Sequence, residues 1–77
     1  MLFLIEYDRN RGEVVTIQEF QDSERKKVEG ERLELELKLN RLGIEREVVI
    51  LEAASEKALR RTHRRYFEDL SELARAQ

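Results

Sequence analysis

The stretch that most constrains this chain is its first strand-like segment, where Leu2, Phe3, Leu4 and Ile5 follow one another with no polar residue between them, ahead of Glu6 and Tyr7. A strand sends successive side chains to opposite faces, so LFLIEY places Phe3, Ile5 and Tyr7 on one face and Leu2 and Leu4 on the other. Both faces then need cover, and a strand of that kind belongs inside a sheet rather than at its edge. The next apolar segment is EVVTIQEF, Glu13 to Phe20, rich in β-branched and aromatic residues, and the link DRNRG ends in Gly12. Together they predict a hairpin over residues 2–20 with a glycine-assisted turn.

Residues 22–42 carry two competing periods. Leucines at 33, 35, 37 and 39 alternate as in a half-buried strand. Against that stand a capping-type Asp22-Ser23 start, Gly43 as a C-terminal stop and strong helix formers throughout, and these favour a helix over 22–42. Projected at the helical step, Val28, Leu35, Leu39 and Leu42 form one apolar stripe, while Gly30, Leu33 and Leu37 form a second on nearly the opposite side. The first suits a sheet. The second suits either a final helix packed over it or a dimer contact, because a glycine between leucines lets another backbone approach closely.

REVVILEA, residues 46–53, holds four consecutive apolar residues and fits a strand covered on both faces. Strand two, helix and strand three then form a right-handed crossover unit, with strand three running parallel to strand two and antiparallel to strand one. Ser55 caps a last helix over 55–75 whose first turn carries Glu56. The expectation is a single α+β domain over residues 1–77, ordered ββαβα, with a three-stranded mixed sheet and two helices.

The last helix holds LRRTHRRYF, four arginines and the only histidine. Projection puts Leu59, Tyr66, Phe67, Leu70, Leu73 and Ala74 on one side with His63 among them, while Lys57, Arg60, Arg61, Arg64 and Arg65 lie on the other. His63 and the arginines therefore point apart, and His63 is expected as a packed core or interface residue; if it lies at a subunit contact, protonation near pH 6 would loosen that contact. Glu56 precedes Arg60 by four residues, and Glu68 and Asp69 follow Arg64 and Arg65 by four, so local pairing is expected. Arg61 has no acid at such spacing. Acids of the first helix, Glu29, Glu31, Glu34 and Glu36, would answer the basic stretch if the two helices lay side by side.

Composition excludes several kinds of chemistry. The chain has no cysteine, hence no disulfide, thiolate metal site or thiol nucleophile, and a reducing, cytoplasmic setting is the default. Its net charge is −2 with 42% charged residues, so opposite charges are intermixed. MLFLI is too short for a signal sequence or a membrane span, and the three glycines are too scattered for a phosphate-cradling loop. Asp8 and Glu52 resemble a paired metal site until the topology sets them at opposite ends of the sheet. Asp8, Glu13, Glu45 and Glu47 gather at the hairpin-tip end but alternate with Arg9, Arg11 and Arg46, an ion-pair rim, and of the last helix Arg75 rather than Arg60 or Arg61 is expected to reach that tip. Ser23 and Ser55 are expected as caps, not nucleophiles.

The sequence thus predicts no catalytic, metal or cofactor residues. It predicts a small non-catalytic protein-interaction module without a membrane segment that homodimerises or takes a protein partner through Gly30, Leu33 and Leu37. A nucleic-acid or polyanion binder acting through Arg60, Arg61, Arg64 and Arg65 is the other reading.

Overall fold

A computed structural model of the chain describes residues 1–67. Strands β1 (Leu2–Asp8), β2 (Glu13–Phe20) and β3 (Glu47–Glu52) form one sheet, with helices α1 (Arg25–Leu42) and α2 (Glu56–Thr62) and two 3-10 turns, at Asp22–Glu24 and Arg64–Tyr66. The α+β class and the ββαβα order follow the sequence.

β1 is the central strand, in the sheet order β2-β1-β3. Every pairing is antiparallel, so the sheet is antiparallel rather than mixed. β3 does run in the same direction as β2, but α1 carries the chain across β1 to its far side, and β2 and β3 never bond. The doubly apolar strand takes the middle, where both of its faces are covered most completely: Leu2, Phe3, Leu4 and Ile5 are all buried.

The two faces carry separate clusters. On one, Leu2 and Leu4 pack with Val28 of α1, and Phe20, Val48 and Ile50 complete the group. On the other, Phe3 and Ile5 pack with Leu59 of α2, joined by Val49, Leu51, Ile17 and Phe67. The helices therefore sandwich the sheet. This removes the expectation that α2 covers the second stripe of α1, and it keeps the acids of α1 from the arginines of the last segment.

Local signals explain most element ends. Gly12 has φ 68° and donates to the Asp8 carbonyl at 2.8 Å, while Asp8 Oδ1 accepts from the backbone N–H groups of Asn10 and Arg11 at 3.0 and 3.2 Å, closing the hairpin. Gly43, at φ 67°, ends α1, with its N–H on the Asn40 carbonyl and that of Ile44 on the Leu39 carbonyl. The start of α1 differs from the Asp22-Ser23 cap. The chain turns at Gln21, whose N–H donates to Glu24 Oε1 at 3.0 Å, and Ser23 sits inside the 3-10 turn. Ser55 caps α2 as expected, accepting from Ala58 N–H at 3.1 Å.

Two corrections concern length and cover. Of the predicted inward stripe, Val28 and Leu39 are buried, but Leu42 is 60% exposed, because eighteen helical residues span about 27 Å and outrun a six-residue strand of about 20 Å. The last helix does not run to residue 75 in one piece. It stops at Thr62, whose hydroxyl donates back to the Ala58 carbonyl at 3.0 Å, and His63 leaves helical geometry at φ −120°, ψ 52°. The expected stripe residues Leu70, Leu73 and Ala74 lie outside the described residues.

Candidate interaction surfaces

The break at His63 lets the next turn fold onto the tip end of the sheet. Tyr66 is buried there, its ring edge-on to Tyr7 at 5.1 Å, and its hydroxyl donates to Glu47 Oε1 at 3.2 Å. Arg65 donates to the same oxygen at 2.8 Å and to the Tyr66 hydroxyl, and lies over the Tyr66 ring. Arg9 reaches Glu47 Oε2 at 3.4 Å from the hairpin tip. Burial pushes the Glu47 carboxyl up, but the hydrogen bonds from Arg9 and Tyr66 and the charges of Arg65 and Arg9 outweigh it and hold the group below its ordinary value. Arg65 is shifted the other way, above its ordinary value, first by its hydrogen bond to Tyr66 and also by Glu47.

The opposite face of the same end holds a second knot. Arg46 Nη1 donates to Glu6 Oε2 at 3.2 Å, and its Nε faces Asp8 Oδ2 at 3.6 Å, with all three side chains largely out of water. Of the rim predicted at the hairpin tip, Asp8, Glu47, Arg9 and Arg46 are held in ion pairs, and its centre includes Glu6. The pattern hid that residue, because an acid on a β1 position facing the core is legible only once its arginine is in place.

The four candidate arginines separate. Arg60 pairs with Glu56 at 2.9 Å, as its spacing predicts, and stacks over Phe67. Arg65 joins the tip, and Glu47 answers its charge. Arg64 is exposed and engaged. Arg61 is exposed and has no ion pair among the described residues. Glu68, Asp69 and Arg75, expected as partners or neighbours, lie outside the described residues. His63 is half-buried at the helix break rather than on an apolar helix side, because the projection that put it there assumed an unbroken helix.

On the outer side of α1, Leu33 and Leu37 are 54% and 52% exposed, and a Cβ built on Gly30 would meet nothing within 4 Å. The stripe Gly30, Leu33, Leu37 is therefore open, with a shallow depression beside it lined by Glu34, Leu37, Lys38 and Arg41.

Asp8 and Glu52 lie at opposite ends of the sheet, since Leu2 pairs with Glu52 while Tyr7 pairs with Glu47. Among the described residues no three His, Asp or Glu side chains gather where a metal ion would need them, and no helix is long and apolar enough to cross a membrane. Compared with protein-family models, curated proteins and solved structures, the chain matches none.

Proposed function

We propose that the chain is a non-catalytic, cytoplasmic protein-interaction module that self-associates as a homodimer, with α1 supplying the contact. One observation carries this reading: Leu33 and Leu37 stand half in water on the outer side of α1, while α2, the layer that would have covered them, packs on the far face of the sheet. Exposed apolar side chains grouped on one helix mark interaction surfaces more often than isolated ones do. A domain of this size also hides only about 60% of its unfolded surface by itself, so association adds burial that it lacks. Light scattering on the double variant Leu33→Glu/Leu37→Glu tests the reading. Both positions face solvent, so the fold persists and self-association weakens; a variant that associates as tightly as the parent chain refutes the contact through these two leucines.

Arg61 supports a second reading, a polyanion or nucleic-acid contact on the segment Arg60 to Arg65. The acids of α1 lie across the sheet from it, and Arg60 and Arg65 already hold Glu56 and Glu47, which narrows the footprint. Binding to RNA that falls steeply with salt and is lost in Arg61→Glu supports this reading. RNA that fails to bind even at low salt removes it.

A further inference from the structure

We propose that two copies of the chain join through the free edge of β3, antiparallel about a two-fold axis perpendicular to the sheet, so that six strands become continuous and the two α1 helices lie side by side. The proposal rests on the self-association proposed above, and it moves the contact on α1 from the Leu33 and Leu37 stripe to the neighbouring side of the helix, over β3.

The two edges of the sheet are built differently. β2 carries a register shift opposite Glu6 and Tyr7 that leaves Val15 as an extra residue, and its side chains are mostly polar or exposed. A bulge of this kind blunts an edge. β3 pairs with β1 in unbroken register, has no bulge, and carries Val48, Val49, Ile50 and Leu51 in a row, each only half-buried although both of its faces have a helix layer. An apolar, regular edge that no described strand pairs is a template for another strand.

The backbone fixes which groups are offered. Ala53 N–H bonds the Met1 carbonyl, and bonded pairs alternate along an antiparallel ladder, so Glu47, Val49 and Leu51 spend their backbone groups on β1. Val48, Ile50 and Glu52 direct theirs outward. A two-fold axis at Val49 or Ile50 brings these outward groups of one copy against those of its partner and keeps like faces together.

The charge pattern of α1 fits that axis. α1 packs on β3 and β1, and it runs antiparallel to β3, with Arg25 3.5 Å from Glu52 and with Leu39 and Asn40 beside Arg46 and Val48. The side of α1 towards β2 is marked by Glu31, Glu34 and Lys38, which line a groove with Thr16 and Gln18. The side towards the free edge carries Arg25, Glu29, Arg32 and Glu36, within about 60° of arc at the helical step. Read antiparallel against itself, this row is self-complementary: Arg25 meets the second copy's Glu36, and Glu29 its Arg32. The centre of the row falls between Gly30 and Glu31. From Glu52, Val49 and Ile50 lie about 7–10 Å along the strand, which corresponds to about four to seven helical residues beyond Arg25, the same place. With strands about 4.8 Å apart, helices seated over the β1–β3 boundary of each copy come about 10 Å apart across the axis, the contact distance of packed helices. Glu29 has no ion pair among the described residues, Arg32 holds Glu36 only at 3.8 Å, and Arg25 reaches Glu52 at 3.5 Å in an exposed pair, so the row can trade these contacts for partners across the axis. Leu33 falls at the rim of this seam, while Gly30 and Leu37 stay on the outer surface.

The test uses the full chain and two readouts. In sedimentation, Glu29→Arg turns two attractive contacts per dimer into repulsive ones and weakens association by about tenfold, and Glu29→Arg/Arg32→Glu regains most of it. Repulsion created within one helix acts on monomer and dimer alike and cancels. In residue-resolved hydrogen exchange, the amides of Val48, Ile50 and Glu52 are protected at dimer-forming concentration and lose protection on dilution, while Val49 and Leu51 stay protected throughout. A dimer that ignores Glu29→Arg and leaves those three amides exchanging freely overturns this interface but not self-association. A chain that is monomeric at every concentration overturns both.

Discussion

Leu59 is the only buried residue of α2, and it sits fully buried between Phe3 and Ile5, so the seven-residue helix is held to the sheet largely by this side chain. A helix so short has no stability of its own in water. Leu59→Ala removes three buried carbon atoms and leaves a cavity, which costs about 3 kcal/mol at a site with this burial. A domain of this length has roughly 4–11 kcal/mol in all, so the change consumes a large share of it. With a urea slope near 1 kcal/mol per molar for so small a chain, the unfolding midpoint falls by about 2–3 M. Parent and variant are compared at one protein concentration, because self-association adds to apparent stability. Leu42→Ala, at a side chain 60% exposed and outside the proposed contact, is the control and moves the midpoint little. A Leu59→Ala midpoint within the error of the parent's refutes the two-faced core.

Two further outcomes follow from the charged knots. Arg46→Ala leaves Glu6 and Asp8 side by side with 9% and 11% of their side chains exposed and no cation between them, and costs about 2–3 kcal/mol in urea unfolding, less than a fully enclosed pair because Arg46 itself keeps 21% exposure. Adding Glu6→Gln to that variant recovers part of the loss, and equal stability of all three chains contradicts the account. Glu47 has its carboxyl held below its ordinary value in the folded chain, so it contributes stability above the unfolded value, and that contribution disappears as pH falls through the folded one. The stability gap between the parent and Glu47→Gln is therefore widest near neutral pH and closes under acid; a gap that is constant or widens with acid refutes the assignment.

The sequence made the middle of this fold legible because its signals there are local. A strand apolar on both faces has one place in a sheet, a glycine at positive φ ends a helix, and a serine before an acidic turn caps one. Arg60 and Glu56 found each other at helical spacing, and antiparallel pairing was enough to separate Asp8 from Glu52. What the sequence hid depends on partners far along the chain. The end of α2 is set by Tyr66 meeting Tyr7 and Glu47, contacts that outweigh the helical preference of the residues after Thr62. Helical projection continued the same helix and so misplaced His63. Glu6 reads as a surface acid until Arg46, forty residues away, is seen against it. The outer leucines of α1 were ambiguous between core and contact because the sequence does not say on which face of the sheet α2 will land.

Sedimentation equilibrium of the full chain across a dilution series tests the central claim most directly. The account predicts a mass that approaches twice the 9.2 kDa of one chain at high concentration and falls towards it on dilution. A single mass of 9.2 kDa over the whole series contradicts it.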